Sequence, residues 1–272
     1  MVSCCGTRAR TPSDRDIEFA ELRAKRTTRA RSQRPVPDKH ALETFFRLPI
    51  FTGCKDWEKI HTPGNEIYHR AGYFGPMLAY YHGLRREEFC GLAIDDVVTD
   101  NGPHPYIHVT FNEVRRIKND QSVRNITLHP ELVRLNFLDY VDAIRALGEI
   151  RLFPDLYSPS TRSPLGDRLY DELLPAYRTA KFTTHQIRHS FNNELKQKRV
   201  SEEFRADLMG HAGKSETSER YCDPLLIDVQ VEELAHLPVL TAHLAAVPVR
   251  LVPWVARREV APWARARRKV GR

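Results

Sequence analysis

The chain has 272 residues, 41% of them hydrophobic, which is enough apolar material for one large domain or two small ones and excludes collagen, coiled coil and wholesale disorder. Its 42 Lys plus Arg against 35 Asp plus Glu give +7, unevenly placed: residues 1–40 carry +5 and residues 249–272 carry +7, leaving the middle at −5. Charge alone therefore assigns nucleic-acid contact to the ends of the chain and gives the folded body no basic excess.

Residues 1–38 are rich in Arg, Thr and Ser, close on Pro35 and Pro37, and read as a basic flexible N-terminal arm with room for one short helix at Ile17–Arg26. The first residues lack the apolar run of a signal peptide, and no stretch of about 18 apolar residues is present to span a bilayer. Five cysteines (Cys4, Cys5, Cys54, Cys90, Cys222) form no CxxC pair, so neither a disulfide framework nor a zinc knuckle is indicated. A reducing, cytoplasmic setting without a membrane partner is the expectation.

Folded structure is expected from Asp38, with helical spacing in DKHALETFFRL. It resumes in YFGPMLAYYHGLRREEFCGL, where Leu78, Tyr81, Leu84, Phe89 and Leu92 can share a buried side across two helices broken at Gly83. Tyr106–Phe111 and Val123–Leu128 are short β-rich runs on either side of a polar stretch, a hairpin signal. Helical patterns return in HPELVRLNFLDYVDAIRALG, FTTHQIRHSFNNELKQKRV and SEEFRADLMGH. The predicted fold is thus mainly α with a small antiparallel β-sheet, an α+β body over residues 39–226. A C-terminal helix is expected within 227–248, and beyond it a basic flexible tail over 249–272 in which a nine-residue pattern occurs twice.

The chemically informative residues fall in the middle. His185 and Arg188 lie three apart on one helical face, His211 comes after a helix ended by Gly210, and Tyr221 lies in the polar segment beyond. Arg85 comes just after the Gly83 break, and the hairpin tip carries Lys118. If these groups converge, they suit attack on a phosphodiester. Arginine forks can hold non-bridging oxygens and stabilise a pentavalent transition state. Histidine, lysine and tyrosine can serve as base, acid and nucleophile. The cations do what metal ions do elsewhere, so no metal, nucleotide or other cofactor is called for.

At these positions the sequence resembles the tyrosine recombinases, the phage-type integrases. The family pattern Gly-x-Arg-x-x-Glu-x-x-x-Leu-x-x-x-Asp reads here as Gly83, Arg85, Glu88, Leu92 and Asp96. A hairpin lysine, Lys118, comes next, then His185, Arg188 and His189, then LMGH ending at His211, then Tyr221, all within roughly residues 40–225. The resemblance implies an integrase catalytic-domain fold and a metal- and ATP-independent recombinase acting on double-stranded DNA attachment sites as a homo-tetramer, with no small-molecule substrate. It implies that Tyr221 attacks the scissile phosphate to leave a 3′-phosphotyrosyl bond. Arg85 and Arg188 would clamp the non-bridging oxygens with His211 adding a hydrogen bond, Lys118 would protonate the 5′-oxygen, and His185 would assist at the tyrosine. Glu88 and His189 would support the site from behind. A helix within Ile227–Leu244 would dock onto a neighbouring protomer.

Two departures matter. The interval from His211 to Tyr221 is ten residues, one longer than the commonest spacing, and the 38 N-terminal residues are too few and too polar for a separate helical core-binding domain. A loop absorbs the first easily; the second, with the atypical Arg-Ala-Pro tail, supports a rival reading, a truncated, non-catalytic DNA-binding remnant. Locally, Arg115 and Arg116 compete with Lys118 for the hairpin role, and the His185–His189 spacing is one that can also bind zinc.

Overall fold

The computed structural model describes residues 35–115, 122–157, 165–211 and 225–263. The expected N-terminal helix at Ile17–Arg26 lies outside the described residues. The first helix, α1 (Lys39–Phe45), starts where expected, because the Asp38 carboxylate accepts the Ala41 N–H at 2.7 Å and caps it. A short α2 (Pro49–Thr52) leads by an irregular segment to α3 (Ala71–Tyr81). Every residue of α3 is buried, as a helix apolar on all sides must be. It ends at Gly83, whose φ of +59° is a left-handed conformation that suits glycine, and where a Cβ would meet Phe191 Cδ1 at 2.6 Å. Leu78, Tyr81, Leu84, Phe89 and Leu92 are all buried, as the sequence pattern requires.

After α4 (Arg86–Cys90) and a 3₁₀ turn at Ile94–Asp96, three antiparallel strands lie in the order β1 (Val97–Val98), β2 (Tyr106–Val109), β3 (Arg124–Thr127). Ile107 faces Ile126 across the expected hairpin and Val97 on the other side, and all three are buried. The two-residue β1 is too short to carry a sequence pattern of its own.

The long helical pattern of residues 129–148 is divided into α5 (Pro130–Arg134) and α6 (Phe137–Ala146). Asn136 between them has φ +61°, a conformation that asparagine tolerates better than most side chains and that no helix can pass through. The sequence reading missed α7 (Leu165–Ala180) entirely. Leu165, Leu169, Leu173, Ala176 and Tyr177 mark its inner side, but Pro175 in its interior disguises the pattern. α8 (Thr184–Gln197) packs along α3. α9 (Glu202–Met209) comes next, capped by Ser201 Oγ on the Phe204 N–H at 3.1 Å and stopped by Gly210 at φ +59°.

The C-terminal region corrects two expectations. The helix expected within 227–248 is only α10 (Ile227–Leu234), because Pro238 and Pro248 interrupt the chain beyond it. Leu234, Leu237, Leu240 and Leu244 are buried in the same chain's core, and Gln230 accepts the Thr127 N–H of β3 at 2.9 Å. Arg134 donates to the carbonyls of Leu244 at 2.9 Å and Thr241 at 3.1 Å. The segment expected to reach a neighbouring protomer is therefore packed in cis. The tail expected to be flexible from 249 packs on the body where it is described, and residues 264–272 lie outside the described residues: the backbone of Arg250 bonds His69 twice, and Val252, Trp254 and Val255, the last two in α11 (Pro253–Ala256), join the core. Buried apolar surface in that stretch outweighs its basic residues. Among the described residues no helix is long and apolar enough to cross a membrane.

Candidate active site

Four segments distant in sequence meet around one carboxylate. Glu88 on α4 is buried, and its Oε1 accepts from Arg85 Nη1 at 2.5 Å while its Oε2 accepts the Arg85 backbone N–H at 2.8 Å. Arg124, at the start of β3, donates to the same carboxylate, with Nη2 at 3.0 Å from Oε2 and Nη1 at 3.4 Å from Oε1. Arg188 on α8 brings Nη1 to 3.7 Å from Oε2. Burial alone would raise the Glu88 carboxyl, but the charge and hydrogen bonds of Arg124, then the backbone N–H and charge of Arg85, bring it down to about 2. It is a permanent anion serving three guanidinium groups.

The arginines differ in access. The Arg85 side chain keeps 25% of its surface, whereas Arg188 keeps 3% and Arg124 6%, so Arg85 is the member of the trio that a ligand meets first. Arg85 Nη2 donates to the Gly210 carbonyl at 3.0 Å and Nη1 also to Ser122 Oγ at 3.2 Å. Arg188 donates to the Gly83 carbonyl, to the Met209 carbonyl at 2.7 Å and, through Nη2, to His211 Nε2 at 3.1 Å. Both left-handed glycines thus turn a carbonyl toward an arginine of the site. Burial draws the Arg188 guanidinium down to about 9, with Glu88 opposing and Arg85 and Arg124 adding to the effect, so it stays charged at neutral pH.

His211 is exposed on one side. Loss of water on the other, then the charges of Arg188, Arg85 and Arg124, push its ring down to about 4. Arginine offers only donors, so the neutral ring accepts at Nε2 and carries its proton on Nδ1. His211 is therefore a hydrogen-bond donor at neutral pH and not a cation.

Of the sequence-predicted residues, Arg85, Glu88, Arg188 and His211 converge. His185 is exposed one helical turn before Arg188, and its ring packs edge-on against His189 at 4.4 Å. Among the described residues no group of three or more His, Cys, Asp or Glu side chains lies where it could hold a metal ion. Lys118 and Tyr221 lie outside the described residues. The flanks of their segments are described: Ser122 bonds Arg85, and Leu225 donates its N–H to Asp207 of α9 at 3.3 Å. Arg115 does not compete for the hairpin role, because its guanidinium is buried against Asp96 at 3.2 Å, the Glu88 carbonyl at 2.8 Å and the Thr110 carbonyl at 2.6 Å.

Arg124 was missed. Its signal in the sequence is faint but real: in RNIT it shares the inward side of the strand with Ile126, and an arginine on the core face of a strand needs a buried anion.

Helices and a small sheet thus enclose a buried carboxylate that holds three arginines, one of them bonded to a neutral histidine, a site built to receive an anion. The Phage integrase family model matches residues 60–225, more than half of the chain, and the chain belongs to that family, the tyrosine recombinases. No curated protein and no solved structure gives a significant match.

Proposed function

We propose that the chain is a site-specific DNA recombinase that cuts and rejoins strands through a 3′-phosphotyrosyl bond. The observation that carries this reading is the convergence of Arg85 and Arg188, about a hundred residues apart in sequence, on Glu88, with His211 bonded to Arg188. Arg85 and His211 form the open edge of a phosphate pocket. Arg188 stands one hydrogen bond behind His211, adding charge and fixing the ring's tautomer. The Tyr221 hydroxyl attacks phosphorus, forming a P–O bond to the ring oxygen as the P–O5′ bond breaks. The phenolic proton leaves toward His185, and Lys118 gives one to the 5′-oxygen. Rejoining runs the same steps backward. The phosphodiester energy is kept, so no ATP is spent. Assembly as a tetramer on two DNA sites is part of the same proposal.

The test is a nicked suicide duplex built from DNA flanking the gene, on which the freed 5′ fragment diffuses away. The expected product is a covalent protein–DNA adduct, absent with Tyr221→Phe and reduced by roughly 100-fold or more with Arg85→Ala. DNA binding with no adduct from the unaltered chain establishes the rival, a non-catalytic remnant.

A further inference from the structure

The phosphate clamp depends on where Arg85 points, and the three acceptors described for its guanidinium are the Glu88 carboxylate, Ser122 Oγ and the Gly210 carbonyl. They belong to three different segments, on α4, before β3 and after α9. Among the described residues, the Arg124 side chain reaches all three. Arg124 donates from Nη2 to Glu88 Oε2 at 3.0 Å and from Nη1 to the Ser122 carbonyl at 2.9 Å. It lies so close under Gly210 that a Cβ there would meet Nη1 at 2.6 Å. Its Nε donates to the Leu208 carbonyl at 2.9 Å, tying down the last turn before Gly210. Arg124 is itself buried, so it does not meet the phosphate.

We propose that Arg124 is a positioning residue of the reaction: it joins the three acceptors of Arg85 into one frame and so sets the Arg85 guanidinium for the scissile phosphate. A single planar cation with five donors can bridge three segments, and a lysine ammonium cannot reproduce that fork. Misplacing Arg85 by an ångström weakens neutralisation of the phosphate charge while leaving the attacking and leaving groups as they were. The inference rests on the recombinase reading.

The test compares two suicide duplexes, one with the normal scissile phosphate and one in which a methylphosphonate replaces it. A methyl group there removes the negative charge, and with it the need for an arginine in place. For Arg124→Lys the adduct rate on the phosphate duplex is expected to fall roughly 10- to 100-fold, and that on the methylphosphonate by less than about 3-fold. The ratio of the two rates within one preparation does not depend on how much of the protein is folded. Equal losses on both duplexes, or no loss on either, overturn the proposal. If Arg124→Lys yields no folded protein, Glu88→Gln carries the test, since it weakens the acceptor that Arg85 and Arg124 share, and absence of methylphosphonate rescue there overturns the proposal. Arg85→Ala separates the positioning role from the recombinase reading. If Arg85→Ala is rescued and Arg124→Lys is not, only the positioning role falls. If Arg85→Ala is not rescued, or the unaltered chain forms no adduct, the recombinase reading falls and takes this inference with it.

Discussion

Glu88→Gln isolates the value of the carboxylate that organises the site. The side chain is buried with 5% of its surface exposed, and its carboxyl is held at about 2 against an ordinary 4.5. That depression corresponds to about 3 kcal/mol of stability at neutral pH. Breaking a buried ion pair by removing one partner costs about 3–5 kcal/mol, and here one removal leaves several guanidinium groups unbalanced. Glutamine keeps the shape and one acceptor, so a loss of about 3 kcal/mol in urea unfolding at pH 7 is expected. Because the folded carboxyl lies below the unfolded one, its contribution is complete above the unfolded value near 4.5 and is lost as pH falls through about 2. The gap between the unaltered chain and Glu88→Gln should therefore close between those limits, while carboxylates common to both proteins cancel. A gap under about 1 kcal/mol at pH 7, or one that does not change with pH, refutes the assignment of Glu88 as the buried anion of the cluster.

Gly210→Ala forces a Cβ into a left-handed turn and against Arg124 Nη1, and should lower stability by about 1–2 kcal/mol in thermal melts while reducing adduct formation more than DNA binding. Ending the chain after Leu234 removes Leu237, Leu240, Leu244, Trp254 and Val255 from the core, so expression should give aggregated or unfolded protein. A folded, cleavage-competent monomer would instead support the role in neighbour docking expected from sequence. Removing residues 264–272 takes away Arg265, Arg267, Arg268, Lys269 and Arg272. If all five meet DNA phosphates, the slope of log affinity against log salt should fall by about 4.5, read by fluorescence anisotropy, with the cleavage rate at saturating DNA unchanged.

The sequence made the α3–Gly83–α4 unit, the β2–β3 hairpin and the α8–α9 pair legible because each carries a local signal: a left-handed glycine, an alternating run, a cap. It hid what depends on partners far along the chain. Pro175 masks α7, whose Leu169 and Leu173 become decisive only when buried against the body. The region after Leu234 looked like a helix and a loose basic tail because its packing is non-local: Tyr81 bonds Thr241 and the Leu240 N–H, and His69 brackets Arg250. In the site, residue type and spacing pointed to Arg85, Arg188 and His211, and the resemblance to the tyrosine recombinases added Glu88. Arg124 carries only the fainter signal of an arginine on the inward side of a strand, because its contacts form only once β3 lies between α4 and α9.

The acidic middle of the chain acquires a physical meaning from the same contacts. Glu88, Asp96, Glu131, Asp155 and Glu172 are buried or nearly so, and each faces an arginine: Arg85, Arg124 and Arg188 for the first, Arg115 for the second, Arg134 for the third, Arg70 for the last two. Such pairs hold segments in register and are invisible to a partner, so a net charge summed over the body says little about what it binds. What matters for an anion is the local imbalance. Around Glu88 three guanidinium groups face one carboxylate, and His211 is neutral, leaving about two positive charges, one of them on a side chain with open surface. At physiological salt such an excess reaches about 8 Å, far enough to hold one phosphate and too short to gather a duplex. On the proposed recombinase reading this local excess serves the single reacting phosphodiester, and removal of residues 264–272 measures how much the basic end adds to holding the duplex.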